Sequence, residues 1–302
     1  MQGPLISVIT VVYNGARTLE ATIESVVTQT YPNIEFIIVD GGSKDETLSI
    51  IKKYQSRITR WISEKDEGIY DAMNKGIDMA KGDYLIFMGS DDVFYTKEAV
   101  AEVFAQEAAC RADLVYGNVK SDSFQGVYDG RFDLTKLLDH NICHQAIFYR
   151  KELFQQLGKY NKKYKALADW EFNIRCFLQP GIRLQFVDQV IAQFGVGGVS
   201  AQHDPQFLRD IIIPEKLRLL NEKVIRLVWP AQYDGWWRLI RNAAIRTEAE
   251  FNACTRQQPV PKALRQMVRF QQGMSPALLQ PGIRSKISMM ISYIKALISF
   301  SL

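Results

Sequence analysis

The segment Ile34–Thr47, IEFIIVDGGSKDET, decides the fold, and Gly82–Asp92, GDYLIFMGSDD, is its counterpart. In each, a short apolar run ends on carboxylates. Ile34–Val39 stops at Asp40, and Tyr84–Met88 stops at Asp91 and Asp92. Runs of this length closed by acids read as buried parallel strands that carry carboxylates to the carboxyl edge of a sheet. Open α/β sheets bind ligands at that edge. Acids beside glycines, with no histidine adjacent, suit a nucleotide and a hard divalent cation better than a nucleophile.

The pattern extends to both sides. Leu5–Val12 reads as a strand and Arg17–Thr28 as a helix closed by Tyr31-Pro32-Asn33. Ser43, with Glu46 three residues later, predicts a capping box that opens a second helix. Thr59–Ser63 reads as a shorter strand, and Gly68–Ala80 as a helix stopped by Lys81-Gly82-Asp83. This alternation predicts right-handed βαβ units and a mostly parallel sheet. Beyond Asp92 the spacing predicts a helix over Glu98–Ala109 and a strand over Asp113–Tyr116. A helix over Trp170–Leu178, strands over Arg183–Val187 and Val190–Phe194, and a helix over Asp210–Asn221 that leaves the sheet complete the pattern.

With 302 residues, 47% of them hydrophobic and 23% charged, the chain has room for one large domain, or one domain and an appendage. It enters its first strand by Leu5 with no charged leader, so no signal peptide is expected. Cys110, Cys143, Cys176 and Cys254 lack metal-ligand spacing and read as reduced thiols of a cytosolic protein. Charge is uneven. Residues 223–302 carry 12 Lys+Arg against 3 Asp+Glu, a net +9, while residues 1–222 carry −5. The expected division is therefore a mildly acidic α/β domain over 1–222 and a basic helical extension over 223–302, its partner an anionic surface. No nucleic-acid-binding motif occurs, and nucleic acid is not expected as a partner. Ile287, Met290, Ile291, Ile294 and Ile298, with serines and Lys295 opposite, predict an amphipathic final helix too interrupted to span a bilayer. Together with Trp229, Trp236 and Trp237 it suits a membrane interface, or a helical assembly element that would make homo-oligomers.

Six strings in order, TVVYN (10–14), IIVDGGSKDET (37–47), SEKDEGIYDAMNKGIDMAKGDYLIFMGSDD (63–92), NICHQAIFYR (141–150), LADWEFNIRC (167–176) and GVGGVS (195–200), resemble the family-2 glycosyltransferases of the GT-A fold. The likeness extends to bacterial enzymes of exopolysaccharide and O-antigen assembly, the colanic-acid type included, and covers roughly residues 4–200. It implies an α/β fold with a mixed, mostly parallel Rossmann-like sheet flanked by helices, with the C-terminal helical extension outside the match.

The resemblance also assigns roles. Asp91 and Asp92 would hold Mg²⁺ or Mn²⁺ against the donor diphosphate, with Asp92 the more secure ligand because the motif is GSDD and not a strict DxD. Hard cations take carboxylate and phosphate oxygens, which agrees. Asp40 would meet the nucleobase, where a carboxylate can accept the imide N–H of uracil. Tyr13 and Asn14 would lie near the nucleoside. Asp71, Asn74 and Lys75 would belong to the nucleotide-sugar pocket, and His144 would touch diphosphate or acceptor. Asp169 would be the catalytic base of an inverting transfer, although an acid there also suits a helix N-terminal cap. Gly197-Gly198-Val199-Ser200 would form a mobile lid.

The implied activity is an inverting transfer from a nucleotide-diphospho-sugar, a UDP-sugar first, to a saccharide or lipid-linked saccharide in cell-surface polysaccharide synthesis. It would take place at the inner face of the cytoplasmic membrane. Two alternatives are a non-catalytic nucleotide-sugar-binding module and a sugar nucleotidyltransferase. The latter would want a Gly-rich basic loop after the first strand, where Val12 is followed by Tyr-Asn-Gly-Ala-Arg.

Overall fold

The computed structural model describes residues 3–121, 126–195, 204–223 and 231–272. It divides into two compact units, Met1–Phe207 and Leu208–Leu302.

The first unit alternates strand and helix as its sequence predicts: β1 (Ile6–Val12), α1 (Leu19–Val27), β2 (Ile34–Asp40), α2 (Thr47–Lys53), β3 (Arg60–Ser63), α3 (Ile69–Met79) and β4 (Tyr84–Gly89). There follow β5 (Val93–Phe94), α4 (Ala99–Phe104), α5 (Glu107–Arg111), β6 (Leu114–Lys120), β7 (Val127–Tyr128), α6 (Leu134–Leu137), β8 (Ile147–Arg150), α7 (Lys151–Gln156), α8 (Ala168–Leu178), β9 (Leu184–Gln193) and the turn α9 (Pro205–Phe207). The strands form one mixed sheet in the order β3-β2-β1-β4-β8-β6-β9-β5, with β7 on β6. β1, β2, β3 and β4 pair in parallel, while β8 runs antiparallel to both β4 and β6.

The central strands are buried along their whole length. All seven residues of β1, ISVITVV, are enclosed, as a parallel strand covered on both faces requires. Register then fixes what reaches the edge. Val12 lies opposite Asp40, Asp40 opposite Ser63, and Val11 opposite Gly89. The ends of β1, β2, β3 and β4 therefore share one rim. Because β8 is antiparallel, the 3₁₀ turn His144–Ala146 that precedes it enters at the rim where β4 leaves.

Several expectations are corrected. Ser43 and Glu46 form no capping box: α2 begins at Thr47 with Glu46 at its cap and no capping side chain, because Ser43 is drawn instead to Asp40 and Asn14. The helix expected over Glu98–Ala109 breaks at Ala105-Gln106 into α4 and α5, where Gln106 is extended. The two strands expected over Arg183–Phe194 are one, β9, which stays paired with β6 through register shifts beside Asn118.

The second unit runs through a π-helical turn (Leu208–Ile212), α10 (Ile213–Asn221), α11 (Ala231–Asn242), α12 (Glu248–Cys254) and α13 (Lys262–Gln272). Its core joins Ile213 and Leu217 of α10 to Trp236, Trp237, Ile240, Phe251, Leu264 and Val268. Thus the division falls at Phe207/Leu208 and not at 222/223, because the apolar face of α10 is covered by the later helices. Trp236 and Trp237, expected at an interface, are core residues, 4% and 3% exposed. A true capping box, Thr247 with Glu250, opens α12. Trp229, the lid glycines 197–198 and the final amphipathic segment lie outside the described residues.

Candidate functional site

Two acidic centres stand on the rim. At the end of β2, Asp40 is fully enclosed. Its carboxylate accepts from the Gly42 N–H (3.2 Å), the Ser43 N–H (3.1 Å), the Ser43 hydroxyl and the Ser63 hydroxyl (2.6 Å). Each oxygen is engaged by more than one donor, which fills the capacity of a carboxylate. Ser43 passes the link onward by accepting from the Asn14 N–H (2.7 Å), and Asn14 Oδ1 accepts from the Lys44 N–H (2.8 Å). Asn14 holds a left-handed backbone, φ 52°, a conformation asparagine tolerates. Asp45 and Thr47 complete the latch by accepting from the Ala16 and Gly15 amides. The loops after β1 and β2 are thereby one body, from which Tyr13 projects, 59% exposed.

At the end of β4 the acids are arranged otherwise. Asp92 is 5% exposed. Its Oδ2 accepts from the Gly89 N–H (2.8 Å), and its Oδ1 from Gln145 Nε2 and the Gly195 N–H, both at 3.3 Å. Burial, reinforced by the charge of Asp91, raises its pKa above the ordinary value, against a smaller lowering by His144. Asp91 is half-buried, and among the described residues its carboxylate makes no hydrogen bond or ion pair. Its backbone and side chain instead crowd Gly195, where an added Cβ would fall 2.7 Å from Asp91 Oδ2. Glycine at 195 is therefore required by close approach to the acid pair.

Asp169 stands in the first turn of α8, 5% exposed. It is not a cap: the N-cap position is Leu167, and no side chain caps the helix. Asp169 Oδ1 accepts from the Tyr70 hydroxyl (2.6 Å), and Oδ2 from Asn141 Nδ2 (2.8 Å), with His144 Nδ1 3.8 Å from Oδ2. Burial favours the neutral acid, but His144 and then Tyr70 outweigh it and hold the carboxyl below its ordinary pKa. Reciprocally, burial acts to lower the His144 pKa, and Asp169, Asp92 and Asp91 together raise it. The imidazole is thus the electrostatic link between the acid of α8 and the acid pair after β4. Glu171 faces away and pairs with Arg175 (2.9 Å).

The α3 residues singled out by sequence have other partners. Asp71 binds Lys162 (2.8 Å) and lies 3.6 Å from Lys75, and Lys75 pairs with Glu64 (2.8 Å). Asn74 exchanges two hydrogen bonds with the Tyr160 backbone. These contacts tie α3 to the 64–67 and 159–165 loops. The face of α3 that reaches Asp169 is the one carrying Tyr70, which sequence reasoning passed over. Gln145, Asn141 and Gly195 were passed over too, though all lie in the quoted strings. Among the described residues, no group of three or more His, Cys, Asp or Glu is placed to hold a metal.

A mixed sheet with helices on its faces and acids converging on one carboxyl rim defines a GT-A-like fold. The family model described as glycosyl transferase family 2 matches residues 7–173. A "PGL/p-HBAD biosynthesis glycosyltransferase" of Mycobacterium tuberculosis is 41% identical over 239 residues, covering 76% of this chain and 93% of that one. Among solved structures, Staphylococcus aureus TarS 1-349 in complex with UDP-GlcNAc superposes with a TM-score of 0.67 at 18% identity, over 89% of this chain and 88% of that one. The mannosyltransferase PcManGT of Pyrobaculum calidifontis, in complex with GDP-Man and Mn²⁺, gives 0.53 at 14% identity, over 98% and 81%. This chain belongs to glycosyltransferase family 2.

Proposed function

We propose that this glycosyltransferase is metal-dependent and inverting, and that it moves a sugar from a nucleoside-diphospho-sugar, with UDP as the first candidate carrier, onto a saccharide or lipid-linked acceptor. The observation that supports the reading is the convergence of three carboxylates, Asp91, Asp92 and Asp169, around His144. Asp91, without a hydrogen bond or ion pair among the described residues, sits beside the desolvated Asp92, and Asp169 is linked to them electrostatically through His144.

The donor set of Asp91 and Asp92 fits Mg²⁺ or Mn²⁺. Both offer hard oxygen ligands, Asp91 makes no hydrogen bond or ion pair among the described residues, and a cation would relieve the cost of burying Asp92. Such a cation, held by Asp91 and Asp92, would neutralise charge on the departing nucleoside diphosphate. With that leaving group stabilised, no carboxylic acid is needed to protonate it, unlike glycoside hydrolysis. Asp169 would accept the proton of the acceptor hydroxyl as its oxygen attacks the anomeric carbon and the C–O bond to phosphate breaks. Tyr13 and the latched loops of Asn14 and Asp40 would border the nucleoside, and Asp40 would serve it by holding those loops.

The UDP-GlcNAc complex of TarS favours a UDP-sugar donor, while the GDP-Man complex of PcManGT keeps GDP-sugars in the test. The relative's name favours a glycolipid acceptor. No described helix is long and apolar enough to cross a membrane. The +9 of residues 223–302 favours an anionic leaflet such as the inner face of the cytoplasmic membrane.

The test is product analysis with a panel of UDP-, GDP- and TDP-sugars. Transfer releases nucleoside diphosphate with inverted anomeric configuration. Asp169→Asn should keep donor affinity and lose roughly 10²–10⁴ in rate, the usual worth of a general base. Pyrophosphate release, retained configuration, or full activity in Asp169→Asn would each overturn the reading.

A further inference from the structure

A buried polar chain ends on Asp169. The Tyr149 hydroxyl on β8 donates to Asn173 Oδ1 (2.7 Å), Asn173 Nδ2 on α8 donates to Asn141 Oδ1 (2.9 Å), and Asn141 Nδ2 donates to Asp169 Oδ2 (2.8 Å). Tyr149 and Asn173 are fully enclosed. The direction of every bond follows from the last one. An ionised carboxylate only accepts, so Asn141 must present its NH₂ to Asp169 and its oxygen to Asn173. Asn173 must then present its own NH₂, which leaves its oxygen for the one proton of Tyr149. The three bonds point one way, toward the acid.

A second donor comes from a different element. Tyr70 on α3 lies 2.6 Å from Asp169 Oδ1 and 2.8 Å from the Ala166 carbonyl. A phenol has one proton, and the ionised carboxylate takes it. The Tyr70 ring is held against Tyr160, 5.5 Å between centroids. Neither the chain nor Tyr70 is needed to close α8, whose cap uses no side chain.

We propose that Asn141 and Tyr70 are positioning residues of the transfer reaction, each fixing one oxygen of Asp169 so that its remaining lone pairs face the acceptor hydroxyl. The inference rests on Asp169 being the base. Its geometric content is that the carboxylate is clamped at both oxygens, Oδ2 by a chain anchored in β8 and Oδ1 by a side chain from α3. A loosened base keeps its charge and its place in the site but loses alignment, and displacement by about 1 Å can cost 10²-fold in rate.

The experiment measures kcat, donor KM and melting temperature for Asn141→Ala, Tyr70→Phe, Asp169→Asn and the two doubles with Asp169→Asn. Asn141→Ala should lower kcat about ten- to a hundredfold, and Tyr70→Phe about three- to tenfold, with donor KM within about twofold. In the Asp169→Asn background neither should cost more than about a further twofold, because a clamp has nothing left to hold. Tyr70→Phe conserves volume and carries the test if Asn141→Ala melts early. Wild-type kcat in both single variants, or losses that multiply in the doubles while Asp169→Asn is itself impaired, would overturn the positioning role and leave the base standing. Full activity in Asp169→Asn would overturn both.

Discussion

The ends of β2 and β4 look alike in sequence, an apolar strand closed by aspartate, and they are opposites in structure. Asp40 is saturated by donors from its own loop and from β3. Asp91 has no hydrogen-bonded partner among the described residues, and Asp92 is buried at a cost that raises its pKa. A buried carboxylate with its full complement of donors organises backbone. A buried carboxylate whose pKa is raised by burial and by a second acid beside it is a perturbed group, and such groups concentrate at functional sites. On the proposed reading, the contrast separates acids that build the rim from acids that would use it.

The largest stability effect should fall on the building side. Asp40→Ala would leave two hydroxyls and two amides without their acceptor, at roughly 1–3 kcal/mol for each that water cannot reach. A melting temperature many degrees below wild type is expected, whereas Asp91→Asn should melt as wild type does. Equal melting of the two variants would erase the distinction.

The next effect concerns charge on the using side. His144→Gln removes the imidazole facing Asp169, Asp92 and Asp91. Without it, burial dominates and the Asp169 pKa rises, so the acid limb of the kcat profile should move to higher pH. Linkage gives the same sign. The lowered Asp169 pKa contributes stability above the carboxylate's unfolded pKa, lost as pH falls through the folded value, and the raised His144 pKa contributes stability below its unfolded pKa, lost as pH rises through the folded value. In the variant the alkaline limb of stability should vanish and the acid limb should move to higher pH. An unmoved acid limb would cut His144 out of the site.

The smallest effect is expected on α3. Lys75→Met should change donor affinity by less than about threefold, since Lys75 is committed to Glu64 and Asp71 on the surface. A tenfold loss would return Lys75 to the nucleotide-sugar pocket and extend the functional rim beyond the β4 end.

Much of this was legible from sequence, because strand length, apolar content and terminal acids are local properties. The β1–β4 alternation and the acids at the rim follow from them. What was not legible depends on register. Ser43 sits three residues before Glu46 and satisfies a capping pattern, yet Val12 opposite Asp40 brings Asn14 within reach, and that non-local contact wins. Likewise Asp188 and Gln189 interrupt an apolar pattern without ending β9, since the bulge beside Asn118 absorbs the irregularity and Asn118 Nδ2 donates to Asp188. Tyr70 was a missed signal of another kind. Tyr70, Met73 and Ile77 recur at helical spacing and mark the inward face of α3, so the residue reaching Asp169 lay on the apolar stripe and not among Asp71, Asn74 and Lys75. Trp236 and Trp237 were misjudged because a basic neighbourhood suggested an interface, while Ile240 and Ala243 continued their stripe into a core.

On the proposed reading the acids after β4, and not the acid after β2, would hold a divalent cation against a diphosphate. Calorimetric titration of UDP with and without Mn²⁺ into wild type, Asp91→Asn and Asp92→Asn tests it most directly. Mn²⁺ should tighten UDP binding in the wild type, and this gain should disappear in both variants while their folds persist. An equal gain from Mn²⁺ in all three proteins would contradict it.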